Sequence, residues 1–216
     1  MNNKLLINYL ILSTFFFIGC RENVSKKNKN DASASYLSLH AGNEKYAVIN
    51  TKESVVLWKG SSLLGTNSHT GFIYISNGEL VIKDGQLTGG TAEIDMNTIE
   101  DETHSRDNRL VNHLKDPDFF DVKKFPFSAI VITNVVSTNG GNKKITGNLT
   151  IKGVTHPVSF PAKIEVKNEV VTLGGKLVID RTKWDVRYKS ARFYDLVADQ
   201  SISDSIEFEI KIVAKK

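Results

Sequence analysis

The sequence predicts an all-β fold with one short helix: an antiparallel eight-stranded β-barrel with an apolar interior. Three observations predict it. From Lys45 onward apolar and polar residues alternate with a period of two, which wets one face of a strand and dries the other. The alternating runs are mostly separated by short turn-forming pairs, so sequence neighbours pair as antiparallel hairpins. The dry faces must then meet, and closing the sheet on itself hides them while removing its unpaired edges. A barrel of about eight strands has an interior that side chains can just fill, or that can hold one small ligand. The period alone leaves both options open.

The elements follow in order. "YAVIN" and "SVVLWKG" open the domain. "HTGFIYISNGELVIKDGQLTGGTAEIDM" reads as three strands and two hairpins, with turns at Asn77-Gly78 and Asp84-Gly85, pairs that accept positive φ. Its last strand puts Ala92, Ile94 and Met96 inside, with Glu93, Asp95 and Asn97 outside. In "PFSAIVITNVV" the inward positions are taken as Ala129 and Val131; a turn at "STNGGNKK" leads into "ITGNLTIKG". "VSFPAKIEVKN" alternates with Val158, Phe160, Ala162, Ile164 and Val166 on one face, then turns at Asn168-Glu169 into "VVTLGGKLVID". The last strand, "SIEFEIKIVAKK", points Ile206, Phe208, Ile210, Ile212 and Ala214 inward. Small inward positions such as Gly90, Ala92 and Gly175 either leave room inside or mark bends.

One stretch breaks the pattern. "EDETHSRDNRLVNHLKD" reads as a helix over 103–115, acidic at its start, with Leu110 and Leu114 four apart and Pro117 as its stop. The following "PDFFDVKKFPF" sets Phe119 and Phe120 among charges. Those rings need a dry site. An inserted helix with an aromatic follow-on most economically covers one barrel end, either as a lid over a ligand or as a plain core plug.

The N-terminus carries a separate message. Lys4 precedes an apolar run over residues 5–18, shorter than the ~20 residues a spanning helix needs but suited to a signal-peptide core. The run ends at Gly19-Cys20, and Cys20 is the single cysteine, so no internal disulfide is possible. A cysteine in this place resembles the lipobox of bacterial lipoproteins, which implies a signal peptide over 1–19, acylation of Cys20 and membrane anchoring. Residues 20–43 are polar and poor in bulky apolar side chains, which predicts a flexible tether. The barrel domain then spans 44–216. The net charge of +4 comes partly from "SKKNKND" in that tether, and no basic stripe interleaved with aromatics marks a nucleic-acid partner.

No catalytic constellation stands out. The five histidines lack metal-ligand spacing, and neither a nucleophile elbow nor a phosphate loop is present, so no catalytic residue, no metal and no cofactor is expected. An enzyme acting on a held lipid would have to use Asp95 or Asp180. His69 either hydrogen-bonds a head group or caps a turn. In "IDRTKWDVRY", Asp180, Arg181, Asp185 and Arg187 either form an ion-pair network or present a guanidinium to a head group at the barrel mouth.

"GFIYISNGELVIKDGQLTGGTAEIDMNTI", "LVNHLKDPDFFDVKKFPFSAIVIT", "GNLTIKGVTHPVSFPAKIEV" and "LVIDRTKWDVRY" together resemble the YceI-like family of lipid- and polyisoprenoid-binding proteins. The resemblance runs over residues 46–214 with the blocks in the family's order. It implies a lipocalin-like barrel, exported and non-enzymatic, whose elongated tunnel takes an isoprenoid or fatty-acyl chain. The ligand-binding residues expected are Ala92, Ile94, Met96, Phe119, Phe120, Ala129, Val131, Phe160 and Phe208, with His69, Arg181 and Arg187 near the head group. The expected location is the cell envelope, lipid-anchored and facing the periplasm or cell surface. A filled barrel serving as a scaffold is the rival reading. The sequence leaves the oligomeric state open, a dimer included. Unlike the family's usual short link, residues 187–206 form a longer and more aromatic connection.

Overall fold

The computed structural model describes residues 44–102 and 109–216. Nine strands follow in the order β1 (Lys45–Ile49), β2 (Val55–Ser61), β3 (Ser68–Lys83), β4 (Gln86–Asp95), β5 (Phe127–Ser137), β6 (Lys143–Ile151), β7 (Val154–Lys167), β8 (Val170–Asp180) and β9 (Ser205–Lys215). Among the described residues one α-helix, α1 (Arg109–Lys115), lies between β4 and β5. All pairings are antiparallel. β1 and β2 pair with the same two neighbours, β3 and β9, so they are two halves of one barrel position. Nine strands therefore fill eight positions, and the β3–β4 pairing closes the ring. Where the chain bulges between β1 and β2, the buried Ser54 hydroxyl repairs the ladder. It accepts from Val213 N at 2.9 Å and donates to Val213 O at 3.2 Å.

Turn chemistry explains most hairpins. Asp84-Gly85 (φ 50° and 74°), Lys152-Gly153 (51° and 74°) and Asn168-Glu169 (49° and 65°) each place two consecutive residues in the left-handed region. The expected turn at Asn77-Gly78 does not form. β3 runs through it with a register shift between Ile75 and Asn77, and the Asn77 side chain accepts from Gly78 N at 2.8 Å. Glycine is needed there for close approach: a Cβ would lie 2.5 Å from the Thr91 carbonyl oxygen and 2.7 Å from Ile49 Cδ1. An Asn-Gly pair serves a bulge as well as a turn, so a single longer strand replaces two of those expected.

The two rims differ. One carries the start of β1, the end of β9 and the short β3–β4, β5–β6 and β7–β8 turns. Ala47, Ile82, Ile145, Val171 and Ala214 fill the barrel there, each at most 2% exposed. The opposite rim carries the long connections, residues 62–67, 96–126 and 181–204. Within the second of these, Leu114, Phe119 and Val122 bury themselves against Trp58, Ile73 and Met96. Residues 103–108, the first part of the expected helix, lie outside the described residues, as do residues 1–43 with the expected signal peptide, Cys20 and the whole of the expected tether.

Candidate ligand-binding cavity

The barrel is not filled throughout. A cavity of about 630 Å³ reaches from the long-loop rim into the middle of the barrel. Its floor is Leu80, Ile132, Phe160, Leu173 and Ile212, with the packed end behind it. Its middle is walled by Ile75, Ala92, Ile94, Ile130, Phe208 and Ile210. Toward the rim, Trp58, Met96, Leu110, Leu114, Phe119 and Phe120 enclose it from the inserted segment's side. The outermost wall is polar, with Ser61, Ser62, Asn67, His69, Lys189 and Gln200.

Strand register decides which side chains reach this space, because directly opposed residues share a face. Ala92 opposes Ile130 and Ile94 opposes Ser128, and all four line the cavity. Trp58 opposes Phe208, which in turn opposes Leu177. The same register corrects two expected ligand residues. Ala129 opposes the outward Glu93, and Ala129 and Val131 alternate with Ile130 and Ile132, so those two take the outward parity while Ile130 and Ile132 take the cavity wall. β5 carries four apolar residues in a row, 129–132, so alternation could not select its inner face; its partner strand does. Of the other expected residues, Ala92, Ile94, Met96, Phe119, Phe120, Phe160, Phe208, His69 and Arg181 lie on the wall.

Aromatic packing builds the ceiling. Phe119, 5% exposed, meets Phe120 at 6.2 Å and Tyr188 at 5.3 Å between ring centroids. His113 stands edge-on to Phe119 at 5.1 Å and to Tyr188 at 4.5 Å, and its Nε2 lies 3.0 Å from Asp118 Oδ2. Tyr188 thus ties the 181–204 connection to α1. Its role was missed in the sequence, although the aromatic content of that connection was the available signal.

The polar groups divide by role. Past β4 the chain continues beside β3, with Glu100 N donating to Phe72 O at 2.9 Å and Glu102 N to Thr70 O at 2.8 Å. The Glu100 carbonyl accepts from Trp58 Nε1 at 3.1 Å. This path carries Asp101, with a side chain only 1% exposed, to 3.3 Å from His69 Nδ1. The mouth therefore holds a buried carboxylate beside a partly exposed imidazole, a pair that the sequence did not reveal, because Asp101 reads there as helix N-terminal charge.

Arg181 is 1% exposed and its donors are taken up internally. Nε donates to Ser203 O at 2.9 Å, Nη1 to Val186 O at 2.7 Å and Nη2 to Ile202 O at 3.2 Å, with Asp204 Oδ1 3.5 Å away. Burial pushes its guanidinium below the usual arginine range, against the opposing pull of Asp204 and Asp180. Arg187 does not reach the cavity. Its Nε pairs with Asp185 at 3.0 Å and its guanidinium covers the Phe193 ring at 4.7 Å, so its place at the mouth is corrected to the outer surface. Asp180 accepts from the Thr182 hydroxyl at 2.6 Å and from Arg192 Nη2 at 2.7 Å. Burial raises its carboxyl, but these hydrogen bonds outweigh burial and hold it below the usual carboxylate range. Asp95 caps the turn after β4, accepting from Asn97 N at 2.9 Å, and neither Asp95 nor Asp180 lines the cavity. Trp184 is buried instead of displayed, donating Nε1–H to Leu149 O at 3.0 Å beneath His156.

The YceI-like domain family model matches residues 47–214. A UPF0312 protein of Shewanella denitrificans is 29% identical over 123 residues, covering 53% of this chain and 63% of that protein. A UPF0312 protein of Pseudomonas putida strain W619 is 35% identical over 100 residues, 44% of this chain and 52% of its own. The chain thus spans little more than half the length of these curated relatives. Among solved structures, Burkholderia cenocepacia BcnA superposes with a TM-score of 0.64 at 19% identity, over 77% of this chain and 99% of BcnA. A polyisoprenoid binding domain from Saccharophagus degradans, implicated in plant cell wall breakdown, superposes at 0.55 with 10% identity, over 79% and 97%. At these identities the two structures speak to the fold.

Proposed function

The chain belongs to the YceI-like family, and from that premise we propose that it is a bacterial envelope lipoprotein whose barrel binds or carries one long apolar ligand, such as a polyisoprenoid or fatty-acyl lipid. The observation that supports this most is the apolar cavity of about 630 Å³ between the packed end and the polar mouth. Side chains fill one half of the barrel and leave the other open, which a purely structural barrel has no need to do. The wall supplies burial, at about 0.8 kcal/mol per methylene, against an association cost of several kcal/mol. A long chain exceeds that cost without a hydrogen bond. The reading is binding and not catalysis. Anchoring through Cys20 would keep the carrier at the envelope membrane that supplies its cargo.

Native mass spectrometry of the purified full chain, with organic extraction of what it holds, tests the reading. A co-purifying single-chain lipid is expected. Ala92→Trp fills the cavity and should abolish the complex, whereas Ala129→Trp, on the outer face, should keep it. Protein that carries no lipid and binds none after delipidation would leave the scaffold role in its place.

A further inference from the structure

We infer that the cavity measures its ligand: it buries about 15 carbons of an extended hydrocarbon chain, and carbons beyond that add nothing to the affinity. This rests on the reading of the barrel as a lipid carrier and adds the length it reads. Three features support it.

The first is depth. Along β9 the cavity wall runs from Ser205 to Ile212. That stretch rises about 24 Å along the strand at ~3.4 Å per residue. With a strand tilt of ~40° it spans about 18 Å of the barrel axis. An extended chain advances about 1.2 Å per bond, since three backbone bonds of an extended residue span ~3.5 Å. About 15 carbons reach the floor.

The second is lining. Between mouth and floor the wall is built largely of apolar side chains, Ile75, Ile94, Ile130, Phe208 and Ile210 among them, so a hydrocarbon gains burial along this whole length.

The third is the floor. Beyond Leu80, Phe160, Leu173 and Ile212 the barrel is packed with Ala47, Ile82, Ile145, Val171 and Ala214. A longer tail cannot pass through without unpacking that end, which close-packed interiors resist. Gly175 shows how tight the floor is, since a Cβ there would lie 3.0 Å from the Phe160 ring. The head of the ligand then sits at the other end, among Ser61, Asn67, His69 and Gln200.

The test titrates the delipidated full chain, followed by tryptophan fluorescence with Trp58 in the cavity wall, with primary alcohols of roughly 8 to roughly 40 carbons. Affinity should rise about fourfold per methylene, then stop rising at about 15 carbons. Two variants locate the limit. Leu173→Ala should move the plateau about three carbons longer, and Ala92→Phe should move it shorter, each checked for a cooperative melt. Affinity still climbing toward the longest alcohols, or a plateau that neither variant moves, would overturn the length limit while leaving lipid carriage intact. Failure to bind any chain would sink carriage itself, and the limit with it.

Discussion

Arg181 shows what a buried charge requires. Its guanidinium is nearly inaccessible, yet three carbonyls and the Asp204 carboxylate surround it, and they fasten the 181–204 connection to the end of β8. Arg181→Met keeps the bulk and removes the charge, leaving those acceptors buried without a partner. We expect a loss of about 3 kcal/mol, read by chemical denaturation, with Arg187→Met near neutral because its pair is exposed. A loss equal to that of Arg187→Met would mean water replaces the guanidinium at no cost. Asp180 carries the matching acid sensitivity. A carboxyl held below its unfolded value stabilises the fold above that unfolded value, near 3.9, and the contribution fades as pH falls through the lower folded value. The melting temperature should therefore drop below about pH 4, and Asp180→Asn should flatten that drop while lowering stability at neutral pH. An unchanged acid limb in Asp180→Asn would place the sensitivity elsewhere.

At the scale of elements, the β4–β5 connection builds the cavity ceiling. The described turns of α1, Arg109–Lys115, need tertiary support to hold in water. It stays in place because Leu114 and the Phe119 it leads to are buried against Trp58, Met96 and Tyr188. Phe119→Ala should cost about 3–5 kcal/mol, lowering the melting temperature by roughly 10 °C for a chain of this size, and the half-buried Phe120 should cost less. Near-zero losses in both would place the rings outside the core. Elements were legible in the sequence wherever one signal had one meaning. β7 and β9 alternate cleanly and their faces came out right. β5 is apolar on both faces, and Asn77-Gly78 suits a turn and a bulge alike, so both were misread. In each case the deciding information lies on the neighbouring strand: Glu93 against Ala129, and Thr91 against Gly78.

For the whole molecule, closure into eight positions was readable, because antiparallel strands with one dry face each leave few alternatives. The open half of the interior was not, since a filled and a hollow barrel share one alternation. The asymmetry of the rims bears on the proposed anchor. The first described strand begins at Lys45, on the packed rim and opposite the mouth. If Cys20 carries the acyl groups, wild-type protein should partition into the detergent phase of a temperature-induced split and Cys20→Ser should move to the aqueous phase. Wild-type protein in the aqueous phase, with no acyl mass at its N-terminus, would remove the anchor and leave a carrier free to diffuse.

The repair of the β1–β2 break by Ser54 has a kinetic side. The hydroxyl bonds both backbone groups of Val213, 159 positions further along the chain, and β1 and β2 find their second neighbour only in β9. During synthesis, β1 and β2 must wait for β9 before the ring can shut. Until then two edges, those of β8 and β2, stand open to any other chain nearby. A ring joined first-to-last has a high contact order and folds slowly, so the nascent protein passes through a vulnerable, unclosed sheet that a chaperone could shield.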